Sequence, residues 1–142
     1  MKRGSIFKEE VSMKTKYVYP AIFIKEDCGY SVEFPDLDIS TSGETIEEAI
    51  DMAKDALCLY LYDLEERKVN IPAPSDIIQV HCGDNEFKSL IECDTLYYRK
   101  HFNNKAVKKT LTIPAWLNTM AEREDLNFSL ILQRALKQEL RI

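Results

Sequence analysis

The sequence predicts an α+β protein in two parts: an acidic body of sheet and helix, then a basic tail of strand, helix, turn and helix. Three observations carry this. Residues 17–34 read as a hairpin, because YVYPAIFIK is rich in aromatic and β-branched side chains, Asp27-Cys28-Gly29 can turn the chain, and YSVEF returns in alternation. The pattern then changes to a helical repeat of Ile46, Ala49, Ile50, Ala53, Ala56, Leu57, Tyr60, Leu61 and Leu64, a wide apolar stripe suited to lying on a sheet. Charge divides the chain as well. Residues 1–104 hold 12 Lys+Arg against 20 Asp+Glu, a net of −8, and residues 105–142 hold 7 against 4, a net of +3, which together give the −5 of the whole.

Taken in order, residues 1–16 (MKRGSIFKEEVSMKTK) are charged and lack the apolar stretch of a signal peptide, so they read as a flexible leader, with Met13 an alternative start. After the hairpin, Pro35 closes the second strand and DISTSG offers a short third strand before Gly43. Thr45 suits the N-cap of the long helix, and Glu48 would complete a capping box. That helix is expected to end near Glu66–Lys68, ahead of the two prolines of VNIPAPSDI. Ile77–His81 reads as a fourth strand and Leu90–Asp94 as a strand or turn beside it. TLYYRKHFNNK reads as a short helix running into a polar hinge, residues 103–106.

At 142 residues, with 45% hydrophobic and 30% charged side chains, the chain is an ordinary soluble composition for one domain or two small ones. No apolar run approaches the roughly 20 residues of a membrane span, so a cytoplasmic protein without a membrane partner is expected. Cys28, Cys58, Cys82 and Cys93 show neither CxxC pairing nor the rhythm of metal ligands, and read as reduced thiols. His81 and His101 are too few for a zinc site. Asp27, Glu33, Asp36, Asp38 and Glu44 fall on turns and a loop with no His, Lys or Ser partner at a telling spacing. A Gly-rich phosphate loop and a nucleophile motif are both missing, so no enzyme, metal or cofactor is expected. These acids are either solvated loops or a docking surface for a basic partner.

In the tail, VKKTLTIP would place Lys108, Thr110 and Thr112 on one face of a strand and Val107, Lys109, Leu111 and Ile113 on the other, with Pro114 stopping it. AWLNTMAERED follows as a helix with Leu117, Met120 and Ala121 on one side. Asn127 suits the N-cap of a second helix, striped by Phe128, Ile131, Leu132, Ala135, Leu136 and Leu140. Such a segment lies below the practical floor of roughly 40 residues for a core of its own. A lone strand also leaves its backbone groups unpaired. Both problems vanish if two copies pair their strands antiparallel and interlock their helices. A two-stranded ribbon of this kind fits the major groove of DNA, where lysine bonds guanine and threonine bonds base edges or meets a thymine methyl. The N-terminus of the second helix, Asn127, Phe128 and Ser129, would offer N–H groups to a phosphate.

With these residues in view, the chain resembles the HicB antitoxin family from Tyr17 to Leu140. YPAIFIKEDCGYSVEFPDLDISTSGETIEEAIDMAKDAL is similar to the family's N-terminal signature of YPA strand, GY hairpin, FPD turn, SGET helix entry and EEA helix. VKKTLTIPAWLNTMAEREDLNFSLILQRAL resembles the ribbon-helix-helix module that ends one branch of the family. The resemblance implies a partial RNase-H-like domain, residues 17–102, without the nuclease's catalytic set, and a DNA-binding and dimerisation domain, residues 107–142. It implies a protein that binds and neutralises a HicA-like toxin, a small basic mRNA-cleaving protein, and represses its own operon. By position, Lys108, Thr110 and Thr112 match the base-reading strand, while Lys105, Lys109, Asn127, Phe128 and Ser129 fall where phosphates are held. Two departures stand out: Asp125 where the inter-helix turn usually has glycine, and Lys109 at an inward strand position. For the toxin, the rim of Glu26, Asp27, Tyr30, Glu33, Asp36 and Asp38 is the expected surface. A free-standing ribbon-helix-helix repressor with a ligand- or protein-binding N-terminal domain, a weak nuclease, and oligomers beyond the dimer stay open.

Overall fold

The computed structural model describes residues 14–142, so all but the last residues of the expected leader lie outside the described residues. The chain divides into two units, one holding Thr15–Asn104 and the other Lys105–Ile142.

In the first unit β1 (Lys16–Glu26) and β2 (Gly29–Phe34) form the expected hairpin, and β3 (Ile39–Gly43) follows. Gly29 turns the hairpin at φ +124°, where a Cβ would collide with the Gly43 carbonyl. The long helix α1 (Ile46–Glu66) starts at Thr45, whose hydroxyl accepts the Glu48 N–H at 3.1 Å. The return bond of the capping box goes to the Glu44 N–H rather than to Thr45, at 3.3 Å. Gly43 lets β3 run close under the helix: a Cβ there would sit 2.7 Å from Ala49 Cα.

β4 (Glu86–Asp94) is longer than the expected segment at Leu90–Asp94, and it takes the free edge of β1 along nine antiparallel pairs from Lys16↔Asp94 to Ile24↔Glu86. The sheet order is β3-β2-β1-β4. Alternation then divides the faces. Tyr17, Tyr19, Ala21, Phe23, Val32, Phe34, Ile91 and Cys93 point to one side and are buried under Ala49, Ala53, Leu57, Cys58, Leu61 and Leu64 of α1. Ile50, assigned to the stripe by its spacing, is 44% exposed and lies at the stripe's outer edge.

Ile77–His81 is not a strand. It holds a 3₁₀ turn, Ile77–Gln79, opened by Asp76 accepting the Ile78 N–H. β4 itself takes the β1 edge, and this segment is fastened by side chains instead. The Tyr19 hydroxyl donates to the Pro72 carbonyl, Asp36 accepts from the Ser75 N–H (2.9 Å) and hydroxyl, and Lys88 Nζ donates to the carbonyls of Ile77 (2.7 Å) and Val80 (3.1 Å). Tyr19 lies on the helix side and Lys88, paired with Ile22, on the other, so residues 72–80 pass from one face of the sheet to the other.

The unit closes with α2 (Thr95–Phe102), capped by Asp94. Glu65, 11% exposed, joins three elements: it accepts from the Tyr17 hydroxyl (2.9 Å), the Thr95 hydroxyl (2.9 Å) and Arg99 Nη2 (3.1 Å). Arg99 also lies over the Tyr62 ring, 4.7 Å from its centroid.

In the second unit, α3 (Ala115–Arg123) and α4 (Phe128–Leu140) are joined by a turn with Asp125 at φ +52°, the left-handed region for which glycine is the usual choice. Residues 107–113, expected as a strand, have no regular secondary structure in the single chain. A strand exists through its ladder, and among the described residues this segment has no ladder partner.

Candidate interaction surfaces

The six residues expected on an acidic rim do not form one patch. Glu26, Asp27 and Tyr30 sit at the hairpin end of β2, whereas Asp36 and Asp38 follow its other end. Six residues of strand separate the ends by roughly 20 Å. Tyr30 faces the helix side with Val32, while Glu33, opposite Ile22 and Ser40, faces the open side. Several also have structural work. The Glu26 carboxylate accepts from the Ser31 hydroxyl at 2.7 Å, Tyr30 meets the Phe87 ring edge-on at 6.4 Å, and Asp36 holds Ser75. Asp38 makes the turn into β3 at φ +53°. Asp27 and Glu33 are exposed.

The open face of the sheet offers a second surface that sequence reading did not single out. Val18 and Leu90 are 45% and 52% exposed there, beside Ile22 and Ile24 and the charged groups Lys16, Glu33 and Glu92. The signal was present in the alternation of β1, whose outward residues 18, 20, 22 and 24 are all apolar.

In the second unit Lys105, Lys108, Lys109, Thr110 and Thr112 are all exposed. The apolar residues between them are exposed too, with Val107 at 82% and Leu111 at 61%. Ala121 is the single buried residue of α3, and α4 has none. Asn127 caps α4 by accepting the Leu130 N–H at 3.0 Å. The N–H groups of Phe128 and Ser129, in the first turn, therefore have neither an intrahelical acceptor nor the cap.

Nothing in either unit resembles a metal centre: among the described residues no group of three or more His, Cys, Asp or Glu side chains could hold a metal ion. The four cysteines are free thiols, Cys28 and Cys82 exposed and Cys58 and Cys93 buried. Among the described residues no helix is long and apolar enough to cross a membrane.

Against this geometry the comparisons with known proteins agree. Residues 19–134 match the model of the HicB-like antitoxin of bacterial toxin–antitoxin systems. An uncharacterised 14.9 kDa protein from the rep-hol intergenic region of Haemophilus phage HP1 is 30% identical over 101 residues, 70% of this chain and 75% of its own length. Antitoxin HicB 2 of Photorhabdus laumondii is 41% identical over 58 residues, 40% of this chain and 42% of the relative. Among solved structures, a chain of a toxin–antitoxin complex from Streptococcus pneumoniae is 31% identical with a TM-score of 0.57, covering 87% of this chain and 99% of that one. The antitoxin HicB of Burkholderia pseudomallei shares the fold at 20% identity, with a TM-score of 0.50 over 84% of this chain and 96% of its own. The protein belongs to the HicB-like antitoxin family.

Proposed function

We propose that this protein is a non-enzymatic antitoxin, binding and neutralising a small basic HicA-like toxin through residues 17–102 and repressing its own operon through residues 107–142. The observation that carries the reading is the pairing of family membership with the chain's division: an acidic unit with a buried core of its own, and a basic unit whose apolar residues lie uncovered. We read the first as the partial RNase-H-like domain of the family and the second as its ribbon-helix-helix module. The relative in the Streptococcus complex, matched along 99% of its length, supports a toxin partner.

In this reading two copies pair residues 107–113 as an antiparallel ribbon. Leu111, Ile113, Trp116, Phe128, Ile131 and Leu136, exposed in one copy, then meet their counterparts. The pairing supplies the ladder that the lone segment lacks and turns Lys108, Thr110 and Thr112 outward as one surface. Arg, Lys and Thr side chains read base edges in the major groove, and the α4 N-termini with Lys105 and Lys109 hold phosphates on either side. In the first unit the toxin surface takes in Asp27 and Glu33, two of the four exposed acids of the expected rim. Opposite net charges speed encounter and help select the partner.

The test is co-expression with the small basic protein encoded beside this one, scored by growth rescue and by co-purification. Rescue with a stable complex is expected, and the complex should shift operator DNA. A harmless neighbour that does not co-purify would replace the reading with that of a free-standing repressor.

A further inference from the structure

Two of the four cysteines lie where α1 packs on β4 and line the same cavity. Cys58 follows Leu57 on the buried side of the helix, and Cys93 is an inward residue of the strand, next in alternation to Ile91. They are 8% and 2% exposed. Both nevertheless line one cavity of about 660 Å³, shared with Lys54, Asp55, Tyr97 and Phe102. Tyr97 and Phe102 are themselves 72% and 65% exposed, so the cavity that both cysteines line reaches the surface.

The two thiols act on each other side chain to side chain, and Cys93 is the main reason the Cys58 thiol lies below its ordinary range. Burial opposes it, while a backbone bond from Asp94 and the nearby Lys54 charge assist. The Cys93 thiol is pushed up by Cys58 and by burial.

We propose that Cys58 and Cys93 form a redox modification site, a dithiol that a small hydroperoxide converts into a disulfide joining α1 to β4. The Cys58 thiolate attacks a peroxide oxygen; an S–O bond forms, the O–O bond breaks, and the departing hydroxide takes a proton and leaves as water. The Cys93 sulfur then attacks the Cys58 sulfur. The S–S bond forms, the S–O bond breaks, and the second hydroxide leaves as water with the Cys93 proton. Two thiols lose two electrons and one hydrogen peroxide becomes two waters. The bridge closes the chain between residues 58 and 93, removing freedom from the unfolded state and holding the helix to the strand that leads into α2.

The test uses the full chain carrying Cys28→Ser and Cys82→Ser, so that only the buried pair can react. After hydrogen peroxide in native buffer and alkylation, intact mass should show loss of about 2 Da and no alkyl groups. The urea midpoint should rise and return on reduction. Adding Cys93→Ser should leave a sulfenic acid on Cys58 that dimedone captures. Two alkylatable thiols surviving the peroxide, or oxygen added to one cysteine with no bridge, would overturn the proposal on the double variant alone.

Discussion

In the unit of residues 15–104, α1 lays Ala49, Ala53, Leu57, Leu61 and Leu64 on the sheet, and all five are buried. In the unit of residues 105–142, α4 carries a stripe just as regular, and none of its residues is buried. Both stripes follow the same helical period, so the difference lies in what each helix has to cover. The hairpin, β3 and β4 give α1 a four-stranded surface within the same chain. Among the described residues, the second unit offers α4 one neighbouring helix and a segment without a ladder. An amphipathic pattern thus states that a face will be covered and leaves open which chain covers it.

The sharpest way to break this contrast is through the cores. Leu57→Ala should cost about 3–4 kcal/mol and do so equally at every protein concentration, because its neighbours lie in the same chain. Leu136→Ala, in the second unit, should lower stability in a concentration-dependent way, as a weakened association. A concentration-independent loss at Leu136 would remove the contrast.

Next in size is the polar hub. Glu65→Ala strips the acceptor from Tyr17, Thr95 and Arg99 and leaves a partly buried guanidinium with less compensation. A loss of about 3 kcal/mol is expected in urea unfolding. The hub has a pH signature as well. Burial, and then the bond to Glu65, raises the Tyr17 phenol well above its usual 10.0. Above that pH the unfolded chain releases a proton that the folded unit keeps. The stabilisation is therefore whole below about pH 10 and drains as pH rises beyond it. Tyr17→Phe should flatten that alkaline fall; an unchanged slope would place its origin elsewhere.

In the basic unit the expected effects concern DNA. Thr110→Ala and Thr112→Ala should each relax operator preference by about 1–3 kcal/mol in competition binding, with stability unaltered. Lys109→Ala should instead weaken all DNA alike and reduce the salt dependence. The smallest effect is a gain. Asp125→Gly relieves a left-handed residue at φ +52° and should stabilise the second unit by about 0.5–1 kcal/mol.

How much was legible in the sequence follows the same division. The hairpin, β3, α1, α2 and the two C-terminal helices could be read because period and caps are local: Gly29, Thr45, Asp94 and Asn127 each act within a few residues. Residues 77–81 could not. Their apolar content suggested a strand, and the actual path of residues 72–80 depends on Tyr19, Asp36 and Lys88, which are distant in sequence. The acidic rim failed as a single patch for a related reason. Adjacent residues of a strand alternate faces, so Tyr30 and Glu33 look in opposite directions although three positions apart. Glu65 was within reach, four residues past Leu61 on the buried side of α1, had the stripe been extended to charged residues.

The most direct test of the account is amide hydrogen exchange resolved by segment across a dilution series. Protection in residues 16–94 should be independent of concentration. Protection in residues 107–140 should fall together on dilution, as the second copy leaves and both ribbon and helices lose their cover. Equal, concentration-independent protection of the two regions would contradict the claim that the second unit builds its core from two chains.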